Sequence, residues 1–358
     1  MGTSGGYHGR RIQKTGGSTF IVSLPKSWVL ARGLGAGDVL NFTPRADGSI
    51  VIFPEAAGGG EAPRRIVEVS NDDDPDHLFR RLVAEYIAGY PLLHVRTPGR
   101  MGPRTREVVR GFAQRMIGPE ILEETAEAVV LQDVVGPNPL PIPSVIRRMH
   151  QMVRSMQGDA LAALRARDAS IAKDVIDRDW EVDRLHWFLE KQVTTALRDA
   201  RVLATLDLSL PECMTFLLAS RVLERIADHA VRIAGTVAIL GKERAPERLA
   251  DELDRMSASA AAAVSDALDS LERRDIRTAN AVIDRAHELT RHRERMLHEI
   301  ASKPARLAVG LAYVLESLER IAFYASDLAE IAIDRAVEAA GRPADEPAEK
   351  PAARAPAG

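Results

Sequence analysis

The sequence predicts a multidomain chain in three parts: a small ββαββ unit that dimerises, a small α/β layer, and a C-terminal all-α pair of three-helix bundles. The strongest ground is an internal repeat. Asp159-Ala-Leu-Ala-Ala-Leu returns as Asp266-Ala-Leu-Asp-Ser-Leu, Arg167-Asp168 as Arg274-Asp275, and Val175-Ile176-Asp177-Arg178 as Val282-Ile283-Asp284-Arg285, all at one constant offset. Leu223-Glu224-Arg225-Ile226-Ala227-Asp228 recurs as Leu318-Glu319-Arg320-Ile321-Ala322-Phe323 at a shorter spacing. The length change therefore falls in a connection between helices, where it costs little. Composition agrees: 46% of residues are hydrophobic but only 4% aromatic, and the dominant Ala, Leu, Arg and Glu favour helix. At 358 residues the chain exceeds one typical core.

Residues 9–55 form the first unit. Arg11 to Lys14 reads as a strand, Thr15 to Ser18 as a turn whose glycines permit positive φ, and Thr19 to Ser23 as the return strand. Pro25 suits a first helical turn, so Lys26 to Ala31 is a short helix ended by Gly33. Val39 to Thr43 and Ser49 to Phe53, around Pro44 to Gly48, make a second hairpin. A unit of about 45 residues rarely buries enough core alone, which predicts a homodimer through this domain. The Gly-rich stretch Met1 to Gly9 is expected to be mobile and Ala56 to Pro63 to be a linker.

Residues 64–135 alternate in a βαβαβ pattern: strand Arg65 to Val69, a helix capped by Asp74-Pro75 through Ala88, strand Leu92 to Val95, helix Arg104 to Ile117 and strand Ala128 to Val135. Arg104, Arg106, Arg110 and Arg115 read as a solvated helix face, with a binding patch as the alternative. Gly136 to Pro143, with a proline at every second position from Pro137, is a stiff extended linker.

From Ser144 the signal is helical. Ile146, Met149, Val153, Met156, Ala160 and Leu164 recur on one face, with Arg147, Arg148 and Arg154 off it. Asp168 caps a second helix past Leu197, and Pro211 opens a third through Leu240. Residues 144–240 thus form one three-helix repeat and 246–338 the other, with Asp275 and Pro304 marking the same boundaries. The Pro, Ala and Glu tail, 341–358, is expected to be disordered.

Net charge is −3 and unevenly spread. Residues 1–60 carry Arg10, Arg11, Lys14, Lys26, Arg32 and Arg45 against Asp38, Asp47 and Glu55, so the remainder is net acidic. The single Cys213 can form no internal disulfide and fits a reducing compartment. With no leader pattern and no run of roughly 20 apolar residues, the chain is expected to be cytoplasmic, with no stable membrane insertion.

The candidate chemistry is acidic. Asp179 and Asp183 lie one turn apart on the second helix, and Glu224 and Asp228 one turn apart on the third. Carboxylates at i and i+4 share a face, so two facing helices can present oxygens to a divalent or transition metal ion. His229, beside that face, would add nitrogen and favour a transition metal such as iron or zinc. The alternative is a solvated acidic face paired with Arg178, Arg184 or Arg225. At the constant offsets Asp179 becomes Ala286, Asp183 becomes Thr290 and Asp228 becomes Phe323, while Glu224 is kept as Glu319, so any metal is expected in the first copy. Asp284 with Glu288, and Asp327, offer a weaker second site.

No Glu-x-x-His pair of the di-iron kind occurs, since Asp183-x-x-His186 and Asp284-x-x-His287 fall out of register between the copies. Nor is there a Gly-x-x-x-x-Gly-Lys loop or a nucleophile elbow, and the protein is not expected to be an enzyme. The basic first unit suits a polyanion, with charge doubled in a dimer, or else serves only to dimerise.

Arg11-Ile-Gln-Lys14, Gly16-Gly-Ser-Thr-Phe-Ile-Val-Ser-Leu-Pro-Lys-Ser-Trp28 and Leu34-Gly-Ala-Gly-Asp38 resemble the AbrB/SpoVT swapped-hairpin family. That resemblance implies a dimeric N-terminal swapped-hairpin β-barrel that binds DNA through Arg10, Arg11 and Lys14, joined by Ser18, Lys26 and Arg32. Residues 145–335 resemble the PhoU family of phosphate-uptake regulators, through Asp179-x-x-x-Asp183 and Glu224-Arg-Ile-Ala-Asp228-His229-Ala; Glu319-Arg-Ile-Ala-Phe323 departs at its last acid. This implies two three-helix bundles with metal motifs, and action alongside a phosphate ABC transporter and its signalling histidine kinase. Together the resemblances imply a DNA-binding transcriptional regulator of phosphate uptake with a metal-binding helical sensor. The alternative is an accessory protein that controls the transporter or the kinase, in which the N-terminal unit only dimerises.

Overall fold

The computed structural model describes residues 9–44, 48–54, 64–136 and 140–340. The expected mobile N-terminus up to residue 8, the linker core at 56–63, part of the proline-rich linker and the tail at 341–358 lie outside the described residues. The chain divides into two units, Met1–Glu61 and Ala62–Gly358.

In the first unit, β1 (Gln13–Thr15) and β2 (Thr19–Ile21) pair antiparallel across a Gly16-Gly17-Ser18 turn in which Gly16 takes φ +61°. The short helix α1 (Lys26–Ala31) follows, and β3 (Leu40–Pro44) pairs with β4 (Ile50–Pro54). The ββαββ order is as expected, each strand displaced by a residue or two. Not one described residue of this unit is buried. Ile12, Phe20, Leu30, Val39, Phe42 and Ile50 are all exposed, a set of apolar side chains that one copy cannot cover.

The second unit begins with a four-stranded sheet of order β5-β6-β8-β7, made of β5 (Arg64–Glu68), β6 (Leu92–Arg96), β7 (Pro119–Glu124) and β8 (Ala128–Asp133). Helices α2 (Pro75–Ile87) and α3 (Pro103–Arg115) connect its first strands. The βαβαβ reading missed β7 altogether, so the last strand returns by a hairpin and runs antiparallel to β6. The reason is visible in the residues: β7 is an edge strand whose Glu120 and Glu123 face solvent, and it lacks the apolar alternation that marks a strand. It also changes the role of the arginine-rich helix. Arg106 and Arg110 both clamp Glu124, and Arg115 lies over the Trp180 ring at 4.9 Å, so these three are structural ties.

Six long helices make up the rest: α4 (Ile142–Ala166), α5 (Ala169–Arg198), α7 (Leu210–Leu240), α8 (Glu247–Arg273), α9 (Ile276–Ile300) and α10 (Ala305–Ala340). A short α6 (Ala200–Leu206) was not anticipated; Asp199 adopts extended backbone, ends α5 and caps the new turn through Arg201 N. The predicted stripe from Ile146 to Leu164 is buried throughout. Asp168 and Asp275 each accept two backbone N–H groups at the start of the second helix in their copies, and Ser209 with Glu212 forms a capping box on α7. Helices α4, α5 and α7 pack as one bundle and α8, α9 and α10 as the other, joined along α7 and α10. Gly310 permits that close crossing, because a Cβ there would sit 2.5 Å from Leu240 Cδ2.

The α/β layer docks on α5. Trp180 and Trp187, with ring centroids 5.4 Å apart, pack edge-on against Phe79 of α2. Below them Lys191 Nζ donates to Asp133 Oδ2 at 2.7 Å and lies over the Tyr86 ring at 4.5 Å. Burial pushes the Lys191 pKa down, and Asp133 opposes that push. Among the described residues no single helix is long and apolar enough to cross a membrane, and the one bent pair that passes by composition, α6 with α7, is broken by 72°.

A buried pair loses most when one partner is removed. Asp133→Ala, which strands the Lys191 ammonium, should cost about 3 kcal/mol in urea unfolding followed by tryptophan fluorescence. The double variant Asp133→Ala with Lys191→Met should recover most of that loss; a double variant as unstable as the single one would contradict the buried-pair account.

Candidate functional site

Helices α5 and α7 pack through Val182, Leu185 and Leu189 on one side and Leu223, Ile226 and Ala230 on the other, all buried. That seam brings the four predicted carboxylates together at its edge. Burial pushes Asp179 up to about 6, with Asp228 and Glu224 adding to the shift. Asp183 rises to about 7, again mainly by burial and then by Asp179, Glu224 and Asp228. Glu224 is raised by burial and by Asp228; Asp228 is raised by burial, with Arg225 and Arg221 opposing. The four acids therefore act on one another as a cluster of like charges.

Of their expected arginine partners, Arg178 and Arg184 are engaged elsewhere, while Arg225 acts on Glu224 and Asp228 without an ion pair among the described residues. Arg178 pairs with Asp159 at 2.5 Å and Asp174 at 2.9 Å, Arg184 with Glu181 at 3.1 Å, and Arg225 lies over the Tyr324 ring at 5.9 Å. Asp179 Oδ1 is shut off from solvent and has no hydrogen-bond partner among the described residues. An orphaned carboxylate oxygen among mutually repelling acids has the donor chemistry of a cation site. As they stand, however, no three His, Cys, Asp or Glu side chains among the described residues converge as a ready-made metal set. A cation would have to draw them in.

His229 is not brought to this cluster. Its ring lies against Tyr324 of α10, centroids 5.7 Å apart, and its charged neighbours are Arg232, Glu316 and Arg320. Residues adjacent on a helix point roughly a quarter-turn apart, so His229 faces the other bundle while Asp228 faces the acids.

Sequence reasoning missed the residue that distinguishes the copies. In the second copy Arg293 ion-pairs with Glu319 at 3.1 Å. At the constant offset, the first copy has His186 in place of Arg293. His186 Nδ1 is 2.9 Å from Ser220 Oγ, and burial followed by Arg221 holds its pKa down at about 4, so it is neutral. The second copy thus gives its surviving acid a direct ion pair, whereas the four acids of the first copy feel Arg221 and Arg225 without pairing with an arginine among the described residues. Extending the repeat by eight residues beyond Arg285 would have exposed this exchange. Of the weaker second set, Asp284, Glu288 and Asp327 are all exposed, and Asp327 is raised by burial and by Glu330 alone among acids.

The basic residues of the first unit lie on the hairpin and around α1. Arg10 and Arg11 precede β1, Lys14 is on it, Ser18 is in the turn, Lys26 opens α1 and Arg32 follows its end. All six are exposed, and none of the cations forms an ion pair among the described residues.

Comparison with known proteins divides the chain the same way. A PhoU domain model matches residues 146–237 and again 253–332, and the model for the MazE bacterial antitoxin, an antidote that recognises its toxin, matches residues 13–59. A phosphate-specific transport system accessory protein PhoU homolog from Caulobacter vibrioides is 26% identical over 192 residues, covering 52% of this chain and 82% of the relative. The homolog of the same name from Zymomonas mobilis is 33% identical over 144 residues, 39% of this chain and 55% of the relative. The crystal structure of PhoU from Pseudomonas aeruginosa aligns with a TM-score of 0.49 at 24% identity, over 55% of this chain and 96% of that one. The phosphate transport system regulatory protein PhoU from Streptococcus pneumoniae aligns with a TM-score of 0.47 at 21% identity, over 54% and 91%.

The acid cluster makes stability depend on pH. Asp179 and Asp183 have folded-state pKa values above their ordinary one, so their contribution is present below about pH 4 and lost as pH rises through 6 and 7. Cation-free protein should therefore melt lower at pH 8 than at pH 5. Asp183→Asn should flatten this dependence and stabilise by about 1 kcal/mol at pH 8, solvent screening limiting the gain. A variant with the unchanged pH profile would show that the cluster carries no strain.

Proposed function

The chain carries two PhoU domains behind an N-terminal MazE-type domain, and from that premise we propose that it is a phosphate-transport regulator that acts by binding DNA as a homodimer. The observation that carries the reading is the first unit: none of its described residues is buried, and its exposed cations sit beside uncovered apolar side chains. A second copy would bury Phe20, Leu30, Phe42 and their neighbours and set two arrays of Arg10, Arg11 and Lys14 on one particle. Paired arrays of exposed cations suit the phosphate backbone of a duplex, and the exposed Ser18, Lys26 and Arg32 extend the surface.

The helical part is the sensing part in this reading. Asp179, Asp183, Glu224 and Asp228 would hold a divalent or transition metal ion, whose charge would cancel their mutual repulsion. Oxygen donors alone leave the choice of metal wide, because His229 is turned toward α10. The relatives' names place them in phosphate-specific transport, and the proposal extends that role to this chain, with a transporter component or its kinase as protein partner.

DNA binding is checked by fluorescence anisotropy on duplexes from upstream of phosphate-transporter genes across a salt series. The full chain should bind with an affinity that falls steeply with salt. Arg11→Ala with Lys14→Ala should flatten the slope by about 0.9 for each phosphate that the variant no longer neutralises. Stable dimers with no DNA affinity at any salt would leave an accessory protein whose first unit only dimerises. The metal claim rests on elemental analysis of purified protein, where Asp179→Ala with Asp228→Ala should remove the bound ion; equal content in both would reject the site.

A further inference from the structure

The two copies differ at a second place, where α4 and α8 end. Arg167 and Arg274 close these helices in the left-handed region, at φ 59° and 58°, where glycine or asparagine is the favoured residue. An arginine retained at a strained position in both copies invites the question of what its side chain does. In the second copy the answer is plain: Arg274 Nη2 reaches Glu212 Oε1 at 3.4 Å, across to the third residue of α7. The third residue of α10, which occupies the same place for the first copy, is Leu307. Arg167 has kept the conformation without an acid at that place; Glu243 is the carboxylate whose charge acts on it, with no ion pair between them among the described residues.

Its guanidinium lies instead on a cavity of about 100 Å³, room for one compact oxyanion or roughly three waters at about 30 Å³ each. Leu161, Leu164, Leu253 and Leu311 make its apolar wall, Arg244 from the α7–α8 connection faces the same cavity, and Arg165, Glu247 and Asp254 line it too. Arg167 Nε and Nη1 are both shut off from solvent with no hydrogen-bond partner among the described residues. Two buried, unsatisfied N–H donors on one cation are a rare and costly feature unless something accepts from them. Burial, then Arg244, pushes the Arg167 pKa down, and the charge of Glu243 opposes this. Arg165, the third lining arginine, is already committed to Glu247, Asp251 and Asp254. The lining acids Glu247 and Asp254 are held by Arg165, which leaves the donors of Arg167 and Arg244 for a ligand, and the volume admits only a small one.

We infer that Arg167 and Arg244 form a binding site for a small tetrahedral oxyanion, inorganic phosphate in its free form. Two guanidinium forks supply only donors, which matches an anion whose oxygens all accept. The place of Glu212 is filled by Leu307 in this copy, so an acceptor for Arg167 would come from a ligand in the adjoining cavity. It does not depend on the DNA-binding reading or on the carboxylate cluster.

The test is calorimetric titration of the full chain with inorganic phosphate, and separately with glycerol phosphate. One saturable phosphate site per chain is expected, with binding weakened by roughly tenfold or more, about 1.4 kcal/mol, in both Arg167→Gly and Arg244→Glu. Glycine fits the left-handed position, so Arg167→Gly should fold and melt no lower than the parent. Phosphate binding should also persist in Asp179→Ala with Asp228→Ala, which separates this site from any metal-held anion. No saturable binding, binding undiminished in either arginine variant, binding lost with the two aspartates, or binding of the ester in place of the free ion would overturn the assignment.

Discussion

Four carboxylates that repel one another are held at one edge of a helix pair by the apolar seam beneath them. Val182, Leu185 and Leu189 of α5 meet Leu223, Ile226 and Ala230 of α7, and their burial fixes the face on which Asp179, Asp183, Glu224 and Asp228 emerge. The cost of crowding like charges is met by hydrophobic packing that has no role in the chemistry. A site with this construction is stabilised by whatever brings positive charge to it. The protein supplies that charge only in part: Arg178 and Arg184 are bound to other acids, Arg221 and Arg225 act on the cluster without an ion pair among the described residues, and the histidine at the next turn is neutral.

Duplication supplies the control for this interpretation. The second copy repeats the three long helices and the aspartate cap of the second one, yet its acids are reduced to Glu319, and Arg293 neutralises that one. Two solutions to the same electrostatic problem thus coexist in one chain, one closed internally and one left open. At the ends of α4 and α8 the same contrast recurs, with Arg274 paired to Glu212 and Arg167 facing a cavity. In both places it is the first copy that lacks the direct ion pair among the described residues.

Helix α5 has a second duty. Asp179 and Asp183 lie on one face, while Trp180, Trp187 and Lys191 on the adjoining face anchor the α/β layer through Phe79, Tyr86 and Asp133. The positions matching Trp180, Trp187 and Lys191 in α9 are His287, Glu294 and His298, all exposed, so no such dock exists on the second copy among the described residues. Any rotation of α5 that drew its acids toward a cation would also move the tryptophans on which the α/β layer rests, because a packed helix moves as a rigid element.

The sequence by itself determined the helical architecture, the ββαββ order of the first unit and the identity of the acid cluster. Each rests on local rules: a period of 3.6 in the stripe from Ile146 to Leu164, capping by Asp168 and Asp275, and carboxylates one turn apart. The edge strand β7 escaped because a strand exposed on its acidic side carries no alternation. The short α6 escaped because its boundary depends on Asp199 leaving the helix. Only the tertiary structure decided that Arg178 and Arg184 pair away from the four acids, that His229 turns to Tyr324, and that Arg167 opens onto a cavity. Those outcomes depend on which residues of distant helices come within a few ångströms, and a long arginine side chain can reach several acids until packing selects one. Local periodicity fixes the face from which a side chain leaves its helix; the neighbour it meets is set by how the helices cross.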